Sequence, residues 1–138
     1  TGEYDDTAEK VVDLIPFVEK MRELNHIGRY TEALAHLAAA EGPEADLARR
    51  IVLGYVSYAL NRVGEDEVVR QARDVDRIMG FGFNWAPPTV IVDILGIAKT
   101  IQALERCGLQ VPRVLAEAKS GERLFREPHV DIGRFFSG

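Results

Sequence analysis

The 138 residues make one domain's length of chain, and with 46% hydrophobic and 28% charged residues they can bury a core without a disulfide or a metal. Seventeen Lys and Arg against 22 Asp and Glu give a net charge of -5, which argues against a nucleic-acid binder and a polybasic membrane surface. The single cysteine, Cys107, cannot form an internal disulfide, and the apolar runs are short and broken, so a reducing, cytoplasmic compartment without a bilayer span is expected. No charged-then-apolar leader opens the chain, and the start at Thr1 without methionine suggests a piece of a longer polypeptide.

Helical spacing recurs along most of the chain, while strand signals are scarce. A first helix is expected from Asp6 or Thr7, carrying Val11, Val12, Leu14, Ile15 and Val18, with Pro16 kinking or restarting it. A second runs from Thr31 to Ala40 and stops at Gly42-Pro43. From Leu47, Ile51, Tyr55 and Ala59 mark one stripe and Val52, Val56 and Val63 another, with only Ser57 clearly polar between Ile51 and Leu60. Such a helix, apolar nearly all round, belongs in the middle of a bundle.

An acidic turn, Gly64-Glu65-Asp66-Glu67, leads to a short amphipathic helix from Asp74 to Met79 and an aromatic loop from Gly80 to Trp85. Thr89 to Leu95 would suit a buried strand on propensity alone. Pro87-Pro88 in front of it, and Ile97, Ile101 and Leu104 at helical spacing beyond Gly96, favour helix instead. Val111 to Lys119 reads as a last helix ending at Gly121, followed by irregular chain with Phe125, Phe135 and Phe136. The expected fold is all-α, a compact bundle of about six or seven helices around a buried central one. Residues 1–42 form an N-terminal helical connection or hairpin, and residues 43–138 the main helical unit.

The candidate sites are mostly structural. Gly80-Phe81-Gly82 lacks the third glycine, the preceding strand and the following helix of a dinucleotide fingerprint, so its glycines are expected to end a helix and permit close backbone approach. His26, His36 and His129 have no metal-ligand spacing with one another or with Cys107, and no complete catalytic set stands out. Asp74 and Asp76, near a helix start, are expected to cap it. Asp93 interrupts an apolar run, so its carboxylate is expected to be partly buried and held by amides of the Gly80–Asn84 turn. Tyr55, Phe81, Phe83 and Trp85 are the expected interface residues.

The stretch from Asp74 to Gly96 resembles the C-terminal helical domain of the 3-hydroxyacyl-CoA dehydrogenases. That family shows Asp-x-Asp-x-x-Met, a Gly-x-Gly turn, an aromatic loop ending in Gly-Pro, and Asp-x-x-Gly. Here Asp74, Asp76 and Met79, then Gly80 and Gly82, then Pro88, Asp93 and Gly96 stand in that order. With the apolar helix at Ile51 to Leu60, the resemblance covers roughly half of the chain. Pro87 replaces the glycine before Pro88, Thr89 replaces an aromatic residue, and the loop is about one residue short. These departures resemble the second copy of the domain in longer members, with Thr1 to Gly28 leading out of a first copy.

The resemblance implies a part of an NAD-dependent enzyme of fatty-acid β-oxidation. Its cofactor site and catalytic His–Glu pair would lie on a Rossmann domain outside this chain. The chain alone is then expected to bind neither cofactor nor metal and to carry no catalytic residue; Asn61 lacks the context of the family's catalytic asparagine. Its partners would be the Rossmann domain, an acyl-CoA substrate and further copies of itself, with no nucleic acid or membrane. The alternative is a non-catalytic helical interaction or dimerisation module, and a helix-turn-helix around residues 66 to 95 is disfavoured by the acidic balance.

Overall fold

Proline and glycine punctuate the chain into its helices. The structure, a computed structural model, describes residues 15–83 and 85–126. Helix α1 (Pro16–His26) starts on Pro16, whose missing N–H costs nothing at a first helical position. Pro16 thus starts a helix; Val11, Val12 and Leu14, expected to precede it, lie outside the described residues. Gly28, at φ 79°, ends α1. Its N–H reaches Asn25 O at 3.1 Å, and Arg29 N–H reaches Leu24 O at 2.8 Å, the paired closing bonds of a helix whose next residue is left-handed. The chain reverses there into α2 (Tyr30–Ala39), which packs along α1 and also touches α3 and α5.

Helix α3 (Pro43–Leu60) is the longest. Arg49, nearly two turns into it, reaches back to cap α2, donating Nη1 to Leu37 O at 2.9 Å and to Ala40 O. Leu53, Val56, Ala59 and Leu60 face the core. A four-residue step overshoots one turn by about 40°. The expected stripe Ile51, Tyr55, Ala59 therefore rotates from solvent, through half-burial, into the core. The helix is not buried all round, which corrects the expectation: Leu47, Ile51 and Tyr58 are exposed, while polar Ser57 is buried with Oγ donating to Gln110 O at 2.6 Å.

A loop tied by Val69 N–H to Arg62 O and Gly64 N–H to Val69 O leads to α4 (Ala72–Arg77). This helix widens into one π turn, Ile78–Gly82. Helix α5 (Pro88–Leu95) is helix rather than strand; its first five residues are buried. Gly96, at φ 88°, breaks the chain before α6 (Ile97–Arg106), so the pattern that sequence continued past it belongs to two helices. Gly108, at φ 65°, closes α6 with the same bond pair as Gly28: Gly108 N–H to Glu105 O and Leu109 N–H to Leu104 O. The last helix, α7 (Arg113–Ala116), is shorter than the expected Val111–Lys119, since Pro112 fixes its start and the chain leaves it after one turn.

Among the described residues, α3, α5, α6 and α7 supply one core of Leu53, Val56, Leu60, Ile91, Val92, Leu104 and Leu115. Among the described residues there is no strand, only a lone bridge between Val63 and Val69, and no helix long and apolar enough to cross a membrane.

Candidate functional site

The 74–96 motif folds around a buried carboxylate. Asp76, in the last turn of α4, is fully buried, and it accepts Thr89 Oγ–H at 2.6 Å and Thr89 N–H at 3.2 Å. Because Pro88 has no N–H, the Thr89 amide is the first donor that α5 offers, and Asp76 takes it. Asp76 therefore caps a helix, but α5 rather than its own. Asp74, half-buried in the first turn of α4, makes no side-chain cap and suits the helix dipole.

Beside Asp76 stands Tyr55 from α3. Its hydroxyl donates to Ala86 O at 2.8 Å, pinning the segment just before α5. Burial, and then the Asp76 carboxylate, push the phenol well above its ordinary value, so it stays neutral. Trp85 meets the Tyr55 ring edge-on at 5.6 Å, and Phe83 tilts against Trp85 at 6.1 Å. Trp85 N–H closes the loop onto the carbonyl of half-buried Met79 at 3.0 Å. Phe81, Phe83 and Trp85 are nonetheless mostly exposed, so the aromatic loop forms a shelf over an anchored Tyr55.

Gly80 and Gly82 do not end a helix by turning left-handed. They lie inside the π turn at ordinary φ, and a side chain on Gly82 would meet nothing within 4 Å. The expected close backbone approach is therefore not found at Gly82. A dinucleotide does not fit here either: a helix precedes the turn, and the following helix has already given its first N–H to Asp76.

Asp93 is half-buried and structural in geometry, yet its donors are not those of the Gly80–Asn84 turn. They are Leu124 N–H at 2.8 Å and Phe125 N–H at 3.1 Å, which tie the segment after α7 to α5. The correction has a simple cause. The start of α5 faces α4, whereas Asp93 lies more than a turn further along, towards the end of the helix.

Other candidates stay apart. Asn61 caps α3, its Nδ2 donating to Ser57 O at 2.8 Å. His26 and His36 lie exposed in the last turns of α1 and α2, Cys107 follows α6 half-buried, and His129, Phe135 and Phe136 lie outside the described residues. Sequence reasoning missed Thr89 and Ser57 as buried polar partners. The signal for Thr89 was a hydroxyl directly after a proline at a helix start, where a second-position donor needs an acceptor.

Apart from the motif, an open groove of about 1100 Å³ lies between α2, α3 and α6. Leu34, Leu47 and Leu95 line it, and Arg50, Lys99 and Arg106 stand on its rim. Asp76 has no exposure through which to exchange protons with a substrate, so it holds shape rather than doing acid–base work. Among the described residues, the aromatic shelf and the groove are the candidate surfaces for a ligand or partner. Compared with known families, with curated proteins and with solved structures, the chain matches none.

Proposed function

We propose that this chain is the C-terminal helical part of an NAD-dependent 3-hydroxyacyl-CoA dehydrogenase of fatty-acid β-oxidation, packing against a Rossmann domain or another subunit and walling the acyl-CoA cleft. The observation that carries the reading is the ordered set Asp74, Asp76, Met79, Gly80, Gly82, Pro88, Asp93 and Gly96. Two of its carboxylates act as acceptors that tie parts of the fold together, Asp76 joining α4 to α5 and Asp93 joining α5 to the segment after α7, which is a reason for such a set to recur as a unit. The groove adds support: apolar walls suit an acyl chain, and Arg50, Lys99 and Arg106 suit the phosphates of a coenzyme A. Hydride and proton transfer belong to the Rossmann part, and this chain contributes shape, an apolar wall and rim charge.

The exposed aromatic shelf supports a second reading, a helical interaction module with no enzyme attached. The coding sequence on either side of the segment separates the two. A strand–GxGxxG–helix pattern encoded upstream in the same frame is expected. A frame that encodes this segment alone, or joins it to unrelated modules, refutes the dehydrogenase reading.

A further inference from the structure

The groove between α2, α3 and α6 is apolar within and basic at its rim. Ala35, Ala38 and Leu47 line it and are exposed, and Leu95 and Ala103 line it half-buried. Arg50, Lys99 and Arg106 on the rim are exposed and form no ion pair among the described residues. Of the acids in the lining, Asp46 pairs with Arg49, which leaves Glu41. The acidity of the chain lies elsewhere: residues 1–14 hold Glu3, Asp5, Asp6, Glu9 and Asp13 against Lys10, a net -4 of the total -5.

Two observations bring that segment to the groove. It joins the described chain at Ile15, and Ile15, Pro16 and Phe17 share a smaller hollow with Ala39, Ala40 and Glu41, which also line the groove. Ile15 is extended, at φ -74° and ψ 113°, the conformation that a following proline favours, so chain entering it does not continue the axis of α1. Residues 1–14 lie outside the described residues, and their sequence supplies the rest. At helical spacing Ala8, Val11, Val12 and Leu14 share one side, and Asp6, Glu9 and Asp13 the other. From Ala8 to Leu14 such a helix runs about 9 Å, and the groove wall from Lys99 to Cys107 on α6 runs about 12 Å.

We propose that residues 1–14 dock in the groove of their own chain, apolar side inward, with Arg50, Lys99 and Arg106 reaching the acidic flanks. Charge chooses this occupant, because an apolar groove with a basic rim suits an acidic amphipathic segment. Its tether at Ile15 holds it at high local concentration beside the groove, so modest contacts suffice. An acyl chain that uses the same walls must displace the segment, which makes the segment a stopper for the groove; that role alone rests on the dehydrogenase reading. The docking stands on the groove and the charge of the segment, while the dehydrogenase reading is carried by the motif between Asp74 and Gly96, so either can fail without the other.

Cys107 lines the groove and reports on its cover. The rate at which the full chain reacts with N-ethylmaleimide, a neutral probe, follows access to that thiol. Val11→Asn breaks the apolar side, and Asp5→Lys combined with Glu9→Lys breaks the charge; each change should raise the rate about tenfold. Asp13→Asn, on the outward side, should leave it unchanged. Trp85 lies outside the groove lining, and its fluorescence should be the same in every variant. The wild-type rate should not vary between about 1 µM and about 100 µM protein, as a tethered segment requires. A wild-type rate equal to that of Val11→Asn overturns the proposal. Protection that grows with protein concentration overturns it as well and gives the groove to a second copy.

Discussion

The buried Asp76–Thr89 pair should dominate the stability of the motif. Asp76 is fully buried and receives two hydrogen bonds from Thr89, at 2.6 Å and 3.2 Å. Bonds to a charged group contribute about 1.5–3 kcal/mol each, and a stranded buried donor costs about 1–3 kcal/mol. Asp76→Ala strands the Thr89 hydroxyl and amide together, so a loss of about 3–5 kcal/mol is expected, allowing for partial relaxation. Thr89→Val removes one donor and keeps the shape, for about 1.5–3 kcal/mol. The double variant should cost less than the sum, with a coupling of at least about 1 kcal/mol. Urea unfolding reads all four proteins: with a slope near 1–3 kcal/mol/M, the Asp76→Ala midpoint should fall by roughly 1–3 M at unchanged slope. Strict additivity, or an Asp76→Ala midpoint equal to wild type, would refute the assignment of Asp76 as the cap of α5.

Three further outcomes follow from the same geometry. The Tyr55 phenol is held above its ordinary 10.0, so its neutral form is the one the fold favours; that stability is whole below about pH 10 and declines as pH rises further. Tyr55→Phe should therefore be less stable than wild type at pH 8, through the lost bond to Ala86 O, and the gap should narrow above pH 10; parallel pH profiles of the two proteins contradict this. Asp93→Asn should cost about 1–2 kcal/mol and speed hydrogen exchange at Leu124 and Phe125, and unchanged exchange at those amides rules out the tether. Gly96→Ala, at φ 88°, should cost about 1–3 kcal/mol, whereas Gly82→Ala, with open space and ordinary φ, should be near neutral; equal losses in a thermal melt defeat the distinction.

Much of the helical order was legible because its boundaries are covalent. Pro88 starts a helix where the sequence placed one and Gly108 follows the end of another, each through a backbone property that no packing overrides, whereas Gly96, across which helical spacing was expected to continue, divides two helices. What sequence could not supply was orientation. Ile51 and Val56 are equally apolar, and only the placement of α5 and α6 decides that one faces solvent and the other the core. The two aspartates show the same limit. Composition indicated that Asp93 needed donors, but the amides that serve it come from 31 and 32 residues away, and Asp76 rather than Asp93 is fully buried. The aromatic shelf was legible as a cluster, while exposed Leu47 and Ile51 of α3 were read as core.

The central claim, that this helical chain serves a dehydrogenase whose chemistry lies in another part of the polypeptide, is tested most directly by NADH-dependent reduction of acetoacetyl-CoA. The assay compares the purified 138-residue chain with the product of the whole gene. The account predicts turnover on the order of 10 per second from the whole product and none from the chain alone. Turnover at that level by the 138 residues, or its absence from the whole gene product, would contradict it.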